Sequence, residues 1–345
     1  MRALGCLWGA ALLLLLSSTA ASAQLGHPDS SQSRPSSIHL DIVVTGRDGV
    51  PVAGLQKSDF TVLDNGVAQQ ITSFQPMTGD ACPVEVIILV DTVNPNYTTV
   101  AFERQQMDKF FGSNGGKLPY PTSVAIFSDE GAQIMRGFTR DGASLAKVLD
   151  QQAIGLRAIR RSAGVEGASE RTDMSLQVLR QLIAAEGPLP GRKIILWMSP
   201  GWPFLSGPEI ELGVKQQRGL FREIQDISTE LRQARITLYA IDPLGTSGSV
   251  ANYYENFIKP VRKPGQAQFG NLSLQVLAVH SGGLVFRLNN DIAGLMQKSV
   301  DDVSNFYELS YTPPGGEPNE FHSIRVKIAK PDLKARTRAG YYSGY

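Results

Sequence analysis

The sequence predicts a doubly wound α/β fold with a mostly parallel sheet, joined to a small β-sandwich built from both ends of the chain. Three observations carry this. The apolar runs VIILV (86–90), IILWM (194–198) and ITLYAI (236–241) lack period-2 alternation, as strands covered by helices on both faces do. They alternate with stretches of helical spacing, the pattern of βαβ units. The ends IHLDIVV (38–44) and SIRVKIA (323–329) instead alternate apolar and polar residues. Alone, each end would expose an apolar face and unpaired strand edges, so the two are expected to fold together.

The elements follow in order. Arg2, the apolar run 3–16 and Ala21-Ser22-Ala23 have the charge, length and small-residue ending of a secretory signal, so residues 1–23 are expected to be removed. Residues 24–37, rich in Ser and Pro, read as a flexible leader. The segment 38–82 is all β, with strands at 38–44 and 59–63. Asp64-Asn65-Gly66 marks a hairpin turn, because both turn positions need positive φ, and 69–74 is expected to close that hairpin.

The segment 83–305 is the expected α/β domain. After the strand 85–90 come a helix at 99–111, with Val100, Phe102, Met107, Phe110 and Phe111 on its stripe, and strands at 122–128 and 133–138. Helices follow at 142–152 and 171–185, then the strand 193–198, a helical region at 209–232 and the strand 235–241. Residues 272–280 read as a helix stopped by Ser281-Gly282-Gly283, followed by a short strand at 284–288 and a helix at 292–303. The tail 306–345 returns to β, with strands at 306–311, 323–329 and 334–342.

Composition narrows the function classes. A formal net charge of +1 argues against nucleic acid as the main partner and against electrostatic membrane attachment. No stretch after the signal is apolar enough to span a membrane, so an exported protein, periplasmic or extracellular, is expected. Of the two cysteines, Cys6 lies in the signal. Cys82 then stands alone, which excludes an internal disulfide and a zinc site built on cysteine pairs.

In an open α/β sheet ligands bind beyond the carboxyl ends of the strands. Asp91, Asp129 and Asp242 fall at such ends. Around them the motifs Gly54-Leu55-Gln56-Lys57-Ser58-Asp59-Phe60, Asp64-Asn65-Gly66, Tyr307-Glu308-Leu309-Ser310-Tyr311-Thr312-Pro313 and Arg336-Thr337-Arg338-Ala339-Gly340-Tyr341-Tyr342 flank the α/β pattern. On these grounds the chain resembles von Willebrand factor type A domain proteins, in particular a secreted subfamily common in Acidobacteria.

The resemblance implies a metal-ion-dependent adhesion site. Such a site reads Asp-x-Ser-x-Ser in a first loop, takes a threonine from a second and an aspartate from a third. Asp91 matches the first aspartate, and Thr172 can match the threonine. Val93 and Pro95 stand at the serine positions, and Ser199 or Pro200 where the aspartate belongs. Asn94, Asn96, Asp173 and Ser199 could offer oxygens, but at the wrong spacing for a hard cation such as Mg2+, which demands near-ideal octahedral geometry. Asp91 is therefore expected to be a relic that caps its loop, with no cofactor. Mg2+ or Ca2+ at Asp91 and Thr172 is the alternative.

Enzyme motifs fail. Gly245-Thr246-Ser247-Gly248-Ser249 lacks the last glycine of a nucleophile elbow, and Gly112-Ser113-Asn114-Gly115-Gly116-Lys117 is misspaced for a phosphate loop. The expected function is non-enzymatic protein binding or adhesion through the carboxyl-edge loops, at Asn94, Asn96, Asp129, Ser199, Trp202, Phe204 and Asp242. The identity of the protein partner is not legible. The long segment 244–271, with Tyr253, Tyr254, Phe257 and Phe269, reads as a lid or binding insertion. The rivals are a metal-dependent adhesin and a hydrolase holding a metal with Asp91, Asp129 and Asp242.

Overall fold

The computed structural model describes residues 37–78, 83–135, 137–152, 164–203, 211–245 and 253–344. Residues 1–36, which hold the signal and all but the last residue of the leader, lie outside these residues, as do Cys82 and Phe204.

The central sheet is α/β and mostly parallel. Its strands are β5 (Val84–Asp91), β6 (Lys117–Ser128), β7 (Gly131–Ile134), β8 (Thr139–Asp141), β9 (Arg192–Met198), β10 (Ile236–Ile241) and β11 (Val285–Phe286). The order is β11-β10-β9-β5-β6-β7, with β8 also against β6. Strands β11, β10, β9, β5 and β6 run parallel, and β7 and β8 pair antiparallel at one edge. Alternate residues of β5 enter opposite layers. Val86, Ile88 and Val90 pack beneath α1 (Tyr97–Gly112), α2 (Gly142–Gln152) and α6 (Ile292–Asp301). Ile87 and Leu89 pack beneath α3 (Gly164–Glu186), α4 (Val214–Gln233) and α5 (Leu274–Ser281). Helices on both faces are the physical reason the strand sequences show no alternation.

Local chemistry sets the helix ends. Asn96 caps α1 by accepting the Thr99 backbone N–H at 2.8 Å, which starts the helix ahead of its apolar stripe. Helix α5 stops at Gly282, whose φ of 92° is the left-handed conformation glycine adopts without a Cβ penalty. A Cβ on Gly283 would lie 1.8 Å from the Leu238 carbonyl, so glycine is required for the chain to pass this closely over β10.

The flanks form two four-stranded antiparallel sheets. The remaining strands are β1 (Ile38–Thr45), β2 (Phe60–Asp64), β3 (Val67–Gln69), β4 (Ile71–Thr78), β12 (Asn305–Tyr311), β13 (Phe321–Ile328), β14 (Lys334–Arg336) and β15 (Gly340–Tyr342). One sheet is ordered β14-β1-β12-β4 and the other β15-β13-β2-β3. Ile38, Leu40, Ile42 and Val44 of β1 share a buried cluster with Phe60 and Val62 of β2, Tyr307, Leu309 and Tyr311 of β12, and Tyr341 of β15. On β12 the next face turns the other way: Phe306 joins the core of the parallel sheet.

The flanking motifs are physically joined. Tyr307 donates its hydroxyl to the Val52 carbonyl at 2.8 Å and accepts the Leu55 N–H at 3.1 Å. Buried Asp64 accepts the hydroxyls of Tyr311 at 2.9 Å and Tyr341 at 2.8 Å, and His322 Nδ1 lies 2.8 Å from its other oxygen.

Two β expectations need correction. The Asn65-Gly66 turn closes β2 onto β3 alone, with both residues at positive φ. The chain crosses at Gln70, and β4 pairs with β12 in the other sheet, because Ile71 and Met77 find buried sites there. The expected strand 334–342 is two strands, one in each sheet. The segment read as a lid is packed in its described part. Tyr254 and Phe257 are buried against Val276, and Phe269 lies against the α3–α5 layer.

Among the described residues no helix is long and apolar enough to cross a membrane.

Candidate functional site at the carboxyl edge of the sheet

Asp91 is the last residue of β5, at the centre of the parallel sheet, and is fully buried. Its Oδ1 accepts the backbone N–H groups of Val93 and Asn94, each at 2.9 Å. Its Oδ2 accepts the Ser199 hydroxyl at 2.6 Å and the Asn94 side-chain amide at 2.8 Å, with the Trp197 indole N–H at 3.4 Å. A carboxylate has about four lone-pair directions, and four close donors occupy them here. Burial pushes the Asp91 carboxyl up from its ordinary value, against the opposing effect of these hydrogen bonds.

The network extends through Asn94 and Ser199. Asn94 also donates to Ser175 Oγ on α3 at 3.1 Å, and Ser175 donates to the Arg171 carbonyl at 2.7 Å. Ser199 accepts the Gly201 N–H at 3.0 Å and is tied through its own N–H to the Ile241 carbonyl at 3.0 Å. Strands β5, β9 and β10 and helix α3 are thus cross-linked at one point.

A second carboxyl faces this hub from α1. Glu103 is 0% exposed, and neither of its oxygens has a hydrogen-bond partner among the described residues. Burial first, and then the charges of Asp91 and Asp242, raise its pKa well above the ordinary 4.5. Asp242 follows β10 and accepts the Leu244 N–H at 3.0 Å; burial raises its pKa as well. A protonated Glu103 relieves both its own desolvation and the crowding of three acids.

The remaining expected residues fall as follows. Thr172 is not at the start of a helix but in the third turn of α3, and it donates to the Ala168 carbonyl at 2.9 Å. Ser175, one turn on, is the hydroxyl that reaches the hub. Trp202 is not an exposed anchor. It is 2% exposed, donates to the Leu272 carbonyl at 3.1 Å and packs on Trp197 at 5.4 Å between ring centroids. Asn96 is a helix cap. Asp129 is exposed in the β6–β7 turn. Among the described residues no three His, Cys, Asp or Glu side chains converge to hold a metal ion. Glu103, Ser175 and Trp197 were not anticipated. The one sequence signal for Glu103 is an acid placed directly beside Phe102 in an apolar helix stripe.

The residues fit a divalent cation poorly. The adhesion site needs hydroxyls at positions filled by Val93 and Pro95, and here the Asp91 oxygens are engaged by protein donors.

No protein-family model and no curated protein matches this chain. Solved structures similar to it include the pilus adhesin SpaC from Lactobacillus rhamnosus GG, at 8% identity and a TM-score of 0.39, covering 86% of this chain and 49% of that one. Others are the human COPII-coat protein Sec24c, at 9% identity and a TM-score of 0.35, covering 75% of this chain and 44% of that one, and the SpRpn10 VWA domain, at 9% identity and a TM-score of 0.35, covering 64% of this chain and 97% of that one. The chain thus spans less than half the length of the first two. At these identities and scores no residue or role is carried over from them.

Proposed function

We propose that this chain is an exported, von Willebrand factor A-like binding protein that engages a protein partner through its carboxyl-edge loops, without a metal ion and without catalysis. The observation that carries this reading is the full engagement of Asp91 by Val93, Asn94 and Ser199. A carboxylate spent on internal donors braces the loops; it does not present an open coordination position. The exposed groups on that edge, Asp129 and its neighbour Glu130, then offer the contact surface.

The test is affinity capture from the exported fraction of the source cells, with and without chelator, using the wild type and an Asp129→Arg/Glu130→Arg variant. A specific partner retained in chelator and lost by the variant supports the reading. Capture that needs a divalent cation favours the metal-dependent adhesin. Equal capture by the charge-reversed variant places the contact elsewhere.

A further inference from the structure

The outer face of strands β1, β12 and β4 carries a polar grid beside the amino end of the parallel sheet. Strand register places His39, Ser310 and Ser73 in one row and Asp41, Glu308 and Gln75 in the next. Directly opposed residues of neighbouring strands share a face. The row between them, Leu40, Leu309 and Phe74, turns to the sandwich core. Like charges opposed in this way repel. Arg235 bridges Asp41 and Glu308, 2.6 Å from Asp41 Oδ1 and in an ion pair with Glu308. It directly follows the C-cap of α4, with a φ of 54°. Glycine is usual in that left-handed position, because it has no Cβ. What the arginine side chain reaches explains why the strained residue is kept there.

A cavity of about 220 Å³ opens over this grid, lined by both rows and by Arg235. It has room for roughly seven waters at liquid density. The side chains of Asp41 and Glu308 are 16% and 24% exposed, so the cavity is reachable from solvent. Asp41 Oδ2 and the second Glu308 oxygen accept no hydrogen bond among the described residues, and the Ser73 hydroxyl and Gln75 amide make none there. His39 Nδ1 lies 2.8 Å from Ser310 Oγ, which leaves its Nε2 uncommitted. The free groups are thus two acceptors beside three groups that donate or accept.

We propose that this cavity binds a neutral polyhydroxylated molecule the size of one sugar ring. A hydroxyl both donates and accepts. Adjacent hydroxyls of a pyranose can therefore donate to Asp41 and Glu308 while accepting from Gln75 and Ser73. Charge disfavours ions. Within 4.0 Å two guanidinium groups, of Arg235 and Arg192, balance the two carboxylates. An anion would meet both carboxylates in the cavity wall, and a cation would have to displace Arg235. An apolar ligand would strip water from the carboxylates without replacing its hydrogen bonds. Arg235 is a positioning residue, since it holds the two carboxylates side by side. The site is on the sandwich, next to the residue that precedes β10, and is separate from the carboxyl-edge loops around Asp91.

Saturation-transfer NMR on the full chain tests this. The probes are glucose, galactose and mannose at millimolar concentration, their methyl glycosides, and the charged analogues glucosamine and glucuronate. At least one neutral sugar is expected to show saturable transfer. Its affinity is expected to fall about tenfold in Ser73→Ala/Gln75→Ala, which removes two hydrogen-bonding groups. Both replaced residues are exposed. Equal binding of the methyl glycoside supports the site with a terminal glycan residue as the source, and loss of it supports the site with a free sugar. No saturable transfer to any neutral sugar, or an unchanged affinity in the variant, overturns the proposal. Tighter binding of either charged analogue overturns the neutral class. Should the variant not fold, a wild-type crystal soaked in the sugar that binds best decides. Sugar density against Asp41 and Glu308 supports the proposal, and ordered water alone overturns it.

Discussion

Ser199 donates its hydroxyl to Asp91 Oδ2 at 2.6 Å, joining the carboxyl ends of β9 and β5 across 108 positions of sequence. A hydroxyl stands where the resemblance leads one to expect a third-loop aspartate. A second carboxylate there would repel Asp91 unless a cation lay between them. A hydroxyl needs no such cation, because it is itself the donor.

Replacing Asp91 by Ala should therefore damage stability first. It strips the acceptor from Val93 N–H, Asn94 N–H, the Asn94 amide and the Ser199 hydroxyl, all buried. Each buried donor left unmade costs about 1–3 kcal/mol, so a loss of at least ~3 kcal/mol is expected in urea unfolding. Asp91→Asn should cost less, since its Oδ1 still accepts the two backbone groups. A neutral effect of Asp91→Ala would mean that the hub does not brace the edge.

Adding Mg2+, Mn2+ or Ca2+ at millimolar concentration to chelator-stripped protein should move Tm by less than ~1 °C. A larger rise that disappears in Asp91→Asn would restore the adhesion-site reading and place the ion at Asp91.

Glu103 should make stability fall with increasing pH. Its folded pKa is raised above the ordinary 4.5, so the protonated form is favoured by the fold. The contribution is fully present below pH 4.5 and is lost as pH rises towards the folded pKa. Glu103→Gln mimics the protonated acid and removes this dependence. In urea unfolding from pH 5 to pH 8 the variant should gain on the wild type as pH rises, for as long as Glu103 keeps its proton in the fold. A constant difference across that range would show that Glu103 is ionised in the fold.

The Asp64 clasp should matter to the sandwich alone. Tyr341→Phe removes one hydroxyl at 2.8 Å and should cost ~1 kcal/mol. Asp64→Ala removes the acceptor shared by Tyr311, Tyr341 and His322 and should cost several times that, on the order of 3 kcal/mol. Urea unfolding measures both, and equal costs would mean the three contacts are not a unit.

The sequence alone determined which segments are strands and helices in the parallel layer. Runs such as VIILV carry their burial in composition, and Gly282 marks a helix end through local backbone chemistry. It also implied that the two β flanks fold together, since alternating strands need a second face. Tertiary structure decided what periodicity cannot encode. Gln70 carries the chain from one sheet to the other because Ile71 and Met77 find burial against β12, more than 200 residues away. Ser175 rather than Thr172 meets Asn94 because α3 begins earlier than its apolar stripe suggests. Trp202 turns inward because Trp197 and the Leu272 carbonyl offer it both a face and an acceptor. A residue's type states what it can bond to. Which partner lies within 3 Å is set by packing between elements distant in sequence, and that is where Asp91 became a brace.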